Sequence, residues 1–244
     1  MADQKTALVT GGSRGIGAAI AKKLADDGFT VVVNYAGNAQ AADAVVREIE
    51  QAGGKAQAMQ ADIANAQAVQ QLFDAIETQW GRIDVLINNA GIMKLAPLAQ
   101  MEPQAVEAQI NTNLIGSINT MREAANRLND GGRIINLSTS VVGLKLETYG
   151  VYAATKAAIE TLTAILAKEL RGRSITVNAV APGPTATGLF FEGKSDELVE
   201  RMAKMPPLER LGQPDDIASV VAFLASPEGG WVNGQTLRAN GGIV

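Results

Sequence analysis

Short, continuous apolar runs alternate along this chain with longer segments that repeat an apolar residue every third or fourth position. The runs Thr6-Ala-Leu-Val-Thr10, Thr30-Val-Val-Val-Asn34, Asp84-Val-Leu-Ile87, Ile134-Ile-Asn-Leu137 and Ile175-Thr-Val-Asn-Ala-Val180 are too short for helices and rich in β-branched residues. That pattern predicts strands buried on both faces. Lys55–Gln60 and Gln235–Arg238 read as two further, weaker strands. Between them, helical periodicity covers 18–27, 40–52, 67–80, 101–129, 151–171 and 214–226, and 186–205 reads as a mobile helical flap. The helix over 67–80 sets Val69, Leu72, Phe73 and Ile76 on one face, and Gly53-Gly54 closes the one before it. Strands alternating with helices from end to end predict a parallel sheet covered on both sides. With no linker, repeat or low-complexity tract, residues 1–244 read as one doubly wound α/β domain with a seven-stranded parallel sheet.

The 244 residues include no Cys and no His. Disulfides, thiol nucleophiles, Ser-His-Asp triads and His- or Cys-ligated zinc are therefore excluded. No Asp/Glu cluster suggests a metal site, so no metal is expected. Any acid–base chemistry falls to Tyr, Lys, Asp or Glu. The net charge of −4 argues against nucleic-acid or anionic-membrane partners. No apolar run approaches bilayer length, and Met1-Ala-Asp-Gln-Lys5 has no leader-like pattern. Together with the missing cysteines this suggests a cytoplasmic protein.

Two stretches suggest chemistry. In Tyr152-Ala-Ala-Thr-Lys156 the spacing of four puts a phenol and an ammonium about one helical turn apart on one face. A cation so placed is expected to lower the Tyr152 pKa and make the phenol a better proton donor. A surface Tyr and Lys on an amphipathic helix is the plain alternative. The second stretch, Gly11-Gly-Ser-Arg-Gly15-Ile-Gly17, lies between a strand and a helix. Glycines there let a backbone approach a pyrophosphate, and the helix N-terminus offers free N–H groups. The second strand ends in Asn34-Tyr35-Ala36, where an acid would contact an NAD ribose and repel a 2′-phosphate. Asn34 would not repel it, and Arg14 offers a positive charge, so NADP(H) is favoured over NAD.

These stretches occur in order with Asn88-Asn-Ala-Gly91, Asn113, the hydroxyl cluster Ser138-Thr-Ser140 and Pro182-Gly183. Over its whole length the chain resembles a short-chain dehydrogenase/reductase with a Rossmann domain. Val33-Asn-Tyr-Ala36 and Arg133-Ile-Ile-Asn136 resemble the branch of fungal-type naphthol reductases and 3-oxoacyl-carrier-protein-reductase-like proteins. The resemblance implies Tyr152 as general acid on a carbonyl, Lys156 on the nicotinamide ribose, and Asn113 holding a water that links Lys156 to solvent. It implies Ser13, Arg14 and Ile16 at the phosphates, and Asn34, Tyr35 and Ala36 at the 2′-phosphate. Asp62 and Ile63 would flank the adenine, with Asn88, Ala90 and Gly91 beneath the ribose. Pro182, Gly183, Thr185 and Thr187 would contact the nicotinamide end, and a homotetramer built through 101–129 and 151–171 is implied.

The family's substrate-orienting serine is counted thirteen residues before the tyrosine, which lands here on Thr139, flanked by Ser138 and Ser140. Thr139 is the expected donor, with Ser138 second. Met93, Leu95, Leu144, Tyr149, Leu189, Phe190 and Phe191 suggest apolar walls and a hydrophobic ketone. Arg122 and Arg127 offer a basic patch should a carrier protein deliver the substrate. The expected activity is NADPH-dependent reduction of a carbonyl to an alcohol. A catalytically quiet NADP-binding redox sensor and an NAD-linked alcohol dehydrogenase are the alternatives.

Overall fold

The computed structural model describes residues 5–244. The reading of residues 1–4 as free of a leader lies outside them. Seven strands, β1 (Thr6–Val9), β2 (Thr30–Tyr35), β3 (Lys55–Gln60), β4 (Val85–Asn88), β5 (Arg133–Leu137), β6 (Thr176–Pro182) and β7 (Thr236–Ala239), form one sheet. Its order is β3-β2-β1-β4-β5-β6-β7, and every pairing is parallel. The all-apolar runs give the central strands because both sheet faces are covered: β1 and β4 are buried at every position. One core cluster packs α1 (Gly15–Asp26), α2 (Ala39–Gln51) and α10 (Pro214–Ala225) on one face. The other cluster packs α3 (Ala66–Trp80), α5 (Gly116–Arg127) and α7 (Gly150–Glu169) on the opposite face. Among the described residues no helix is long and apolar enough to cross a membrane.

The expected helix over 101–129 is interrupted. It consists of α4 (Pro103–Gln109), a π-helical turn (Ile110–Ile115) and α5. Asn113 sits in the wide turn, fully buried. Its Oδ1 accepts from Ile92 N at 2.8 Å, and its Nδ2 donates to Ile92 O at 2.9 Å. The widened turn thus brings one side chain to both polar groups of a neighbouring loop residue, which apolar periodicity does not encode. The flap contains two short helices, α8 (Gly188–Phe191) and α9 (Asp196–Ala203). A further turn of helix not foreseen from sequence, α6 (Val141–Leu144), follows the hydroxyl cluster.

Candidate active site

The chain reverses its winding direction between β1 and β4, and a crevice opens there at the strands' carboxyl ends. The loop from β1 to α1 is clamped into it. Asn89 Nδ2 donates to Thr10 O and Gly11 O, both at 3.0 Å, while Thr10 Oγ1 accepts from Asn89 N and Ala90 N. Gly11 and Gly15 have φ of 60° and 55°, in the left-handed region. A Cβ on Gly11 would stand 2.8 Å from Ala90 Cα. Side chains are therefore excluded where a phosphate-bearing ligand would need backbone. Arg14 is exposed at the edge of this loop and forms no ion pair with a described residue.

A cavity of about 850 Å³ runs from this loop to the hydroxyl cluster and the flap. Of the residues expected at a cofactor, Gly11, Ser13, Arg14, Gly15, Ile16, Asn34, Tyr35 and Ala36 line it. So do Asp62, Ile63, Ala90, Gly91, Pro182, Gly183, Thr185 and Thr187, and the catalytic candidates Ser138, Thr139, Tyr152 and Lys156.

Three expected residues do not line it. Gly17 lies beneath the loop, where a Cβ would come within 2.4 Å of Asn89 Nδ2 and Gly11 O, so its service is close packing. Asn88 is buried in the sheet, donating to Asn136 Oδ1 at 2.9 Å and accepting from Thr120 Oγ1 at 2.6 Å. Its neighbour Asn89 lines the cavity instead; the doubled Asn in the motif was the available signal. Asn113 stands just behind Gly91, its Oδ1 3.3 Å from where a Gly91 Cβ would be, with Lys156 Nζ 3.6 Å from the same point.

Asn34 lines the cavity, yet its amide is already engaged. It is 2 % exposed, and Nδ2 donates to Ala61 O at 3.0 Å and to Met59 O at 3.3 Å. Asn34 O also accepts from Gly12 N. The residue ties β2 to β3 and to the glycine loop, so the expectation that its side chain meets a 2′-phosphate is corrected. Arg14 is the cation left facing that end.

At the other end, Lys156 Nζ donates to Leu137 O at 2.7 Å and stands 6.0 Å from the centre of the Tyr152 ring. The expected lowering of the Tyr152 pKa is overturned for the protein alone. Burial pushes the phenol up to about 12; the Thr139 hydroxyl opposes this by hydrogen bonding, and Tyr149 adds to it. Tyr152 keeps partial exposure to the cavity, which tempers the shift. Burial also pulls Lys156 down to about 8. Desolvation of both groups outweighs their mutual attraction.

The three hydroxyls are divided among different partners. Ser138 Oγ donates to Glu160 Oε1 at 2.6 Å. Ser140 Oγ donates to Ala181 O at 3.2 Å and accepts from Asn240 Nδ2 at 2.9 Å. Thr139 Oγ1 accepts a long 3.3 Å contact from Val141 N, and its hydroxyl is the one of the three that lowers the Tyr152 pKa. Met93, Leu144, Tyr149, Leu189 and Phe190 do line the cavity. Leu95 and Phe191 do not; Val141, Leu146, Met202, Met205 and Ile243 join the walls, brought in by α6, α9 and the segment after β7. The expected basic patch is also corrected. Arg127 is bound by Asp74, Glu77 and Glu123, and only Arg122 stays exposed.

A parallel sheet with a glycine cradle at its switch point, opening onto a Tyr–Lys pair, defines a dinucleotide-binding α/β enzyme. A family model described as enoyl-(acyl carrier protein) reductase matches residues 11–244. A short-chain type dehydrogenase/reductase of Picea abies is 46% identical, covering 98% of this chain and 92% of its own length. The 3-oxoacyl-(acyl-carrier-protein) reductase of Staphylococcus aureus is 45% identical over 98% of both chains. A Burkholderia cenocepacia short-chain dehydrogenase solved in complex with NADP superposes with a TM-score of 0.93 at 40% identity, covering 99% of this chain and 98% of that one. The chain belongs to the short-chain dehydrogenase/reductase family and is an oxidoreductase.

Proposed function

We propose that this protein is an NADPH-dependent reductase that converts a hydrophobic ketone, or a related carbonyl, to an alcohol. The observation that carries the reading is that one cavity holds Thr139, Tyr152 and the buried Lys156 at one end and the glycine loop at the other. The residues present fit the cofactor: Gly11 and Gly15 leave room for phosphates, and Arg14, with no ion-pair partner among the described residues, is a cation on a loop next to a strand end without an acid. NADP in the Burkholderia relative supports the same choice. When bound, NADPH supplies a hydride to the carbonyl carbon.

The chain's own groups do the rest. Thr139 and Tyr152 donate hydrogen bonds to the carbonyl oxygen, which gains negative charge as the reaction proceeds. The Tyr152 phenol then gives its proton to that oxygen and becomes a phenolate. A pKa raised by burial keeps the proton in place until then, and the Lys156 cation stabilises the phenolate that forms. Asn113, packed behind Gly91 near Lys156 Nζ, fits a part in returning the proton from solvent. The apolar walls keep bulk water out and suit a hydrophobic substrate.

Mixing the protein with NADPH and a panel of ketones tests this directly through loss of reduced-nicotinamide absorbance. Tyr152→Phe should retain NADPH binding and lose nearly all turnover, because only the transferable proton is removed. A kcat above about a tenth of wild type would exclude Tyr152 as general acid. We further propose a cytoplasmic homotetramer. Half-exposed Ile165 on α7 and the partly exposed Ile110 and Ile115 in the π-helical turn between α4 and α5 support an assembly through these elements. A monomer mass by light scattering at micromolar concentration would rule it out.

A further inference from the structure

Residues 240–244, after β7, reach the cavity through Ile243 and take no part in the chemistry above. Asn240 anchors them and is 8 % exposed. Its Nδ2 donates to Ser140 Oγ at 2.9 Å and to Val244 O at 3.1 Å, and its Oδ1 accepts from Gly242 N at 2.9 Å. The chain then turns through Gly241 and Gly242, with φ of 65° and 87°. A Cβ on Gly241 would stand 3.0 Å from Pro206 Cβ, and one on Gly242 3.3 Å from Pro207 Cγ. The turn is therefore pressed against the prolines that follow α9. On the opposite side, a Cβ on Gly143 in α6 would stand 2.8 Å from Val244 Cγ2. The segment is a strut between the far end of the flap and α6, and Ile243, between its two anchors, lines the cavity.

We propose that Ile243 determines substrate specificity by setting how bulky an apolar group the site accepts beside the reacting carbonyl. Three features make it a stiff wall. Its backbone is held on both sides, the turn before it needs two left-handed glycines, and a β-branched side chain has few χ1 options. A stiff apolar wall discriminates by size, since one methylene in a hydrophobic pocket is worth about tenfold or more. The inference rests on the carbonyl-reductase reading for its substrate class.

The test compares wild type, Ile243→Ala and Ile243→Phe with two ketones, cyclohexanone and the larger 2-tetralone. Binding of each ketone to the protein saturated with NADP⁺ is measured by calorimetry, and kcat/KM is measured with NADPH. Ile243→Ala should raise the preference for 2-tetralone by about tenfold in both quantities, and Ile243→Phe should lower it by a similar factor. NADPH affinity should be unchanged in both. A preference that stays within about twofold of wild type in both variants overturns the proposal. The binding arm needs no hydride, so the two readings fail separately. Shifted binding preference without turnover in the wild type would refute carbonyl reduction and leave the wall in place. Failure of the wild-type complex to bind either ketone would overturn both.

Discussion

Lys156 should make the free protein less stable than an apolar residue would, and the effect should fade with rising pH. The residue is 4 % exposed, and its Nζ has one hydrogen bond, to Leu137 O. Burial lowers its pKa from 10.5 to about 8. The difference, 10.5 − 8, is about 2.5 units, and at about 1.36 kcal/mol each this amounts to about 3 kcal/mol at pH 7. The folded state holds the proton more weakly than the unfolded state. The penalty is therefore full below about pH 8 and is relieved as pH rises from there towards about 10.5. Lys156→Met removes the charge at similar length. It also leaves Leu137 O without its donor, which costs about 1 kcal/mol. The variant should then be about 2 kcal/mol more stable than wild type at pH 7. At about pH 9.5, still below the ordinary tyrosine pKa, the remaining penalty is about 1 kcal/mol and the two proteins should nearly coincide. Urea titrations of both proteins at one protein concentration measure this through the midpoint at constant slope. A variant no more stable than wild type at pH 7, or an advantage that does not shrink with pH, would refute the reasoning.

Other consequences concern the site itself. Thr139→Val, nearly isosteric, should lower kcat/KM by about 10²-fold by removing a donor to the developing oxyanion, while Ser138→Ala and Ser140→Ala should cost far less. Steady-state kinetics with one ketone decide it, and the reverse ranking would move the role to a serine. Arg14→Gln should weaken NADPH much more than NADH, and an unchanged preference between the two would show that Arg14 does not face the 2′-phosphate. Asn34→Asp is a poor probe of the same question, because it deletes the two donors that hold Met59 O and Ala61 O.

The sheet was legible because a parallel sheet buries its central strands on both faces, and continuous apolar runs such as Val31-Val-Val33 have no other stable use. Seven strands and the six long helical stretches were locatable from that pattern and from Gly and Pro at the ends. The π-helical turn at Asn113 was not, since it depends on a side chain meeting the loop at Ile92, far away in sequence. Asn88 and Asn89 show the same limit. One bonds sideways across the sheet to Asn136 and the other forward to the glycine loop, a difference of direction that the letters do not carry. The sign of the Tyr152 shift was misjudged because spacing supplies a distance but not a desolvation. Asn34 was misassigned for a related reason: its position at the strand end was right, but the carbonyls of β3 had already claimed its amide.

The hydroxyl cluster shows how neighbouring residues divide one task. Ser138 N donates to Val180 O and Ser140 N to Pro182 O, so the ladder from β5 to β6 continues past Leu137 with no residue looped out. Counting along the strand therefore keeps its meaning as far as Ser140. The flanking serines are each fixed to a separate element: Ser138 to Glu160 on α7, the helix that carries Tyr152, and Ser140 to Asn240 after β7. Both flanks are held by side-chain hydrogen bonds, and of the three hydroxyls Thr139 is the one that lowers the Tyr152 pKa. A threonine with two pinned neighbours has little freedom, and its β-branch restricts χ1 further. Under the proposed mechanism this restriction would aim the hydroxyl before any substrate arrives, which is when a donor contributes most to transition-state stabilisation. Asn240 belongs to this arrangement too, since the bond that fixes Ser140 also fixes the strut bearing Ile243. One side chain thus ties the hydroxyl cluster to the segment that brings Ile243 into the cavity.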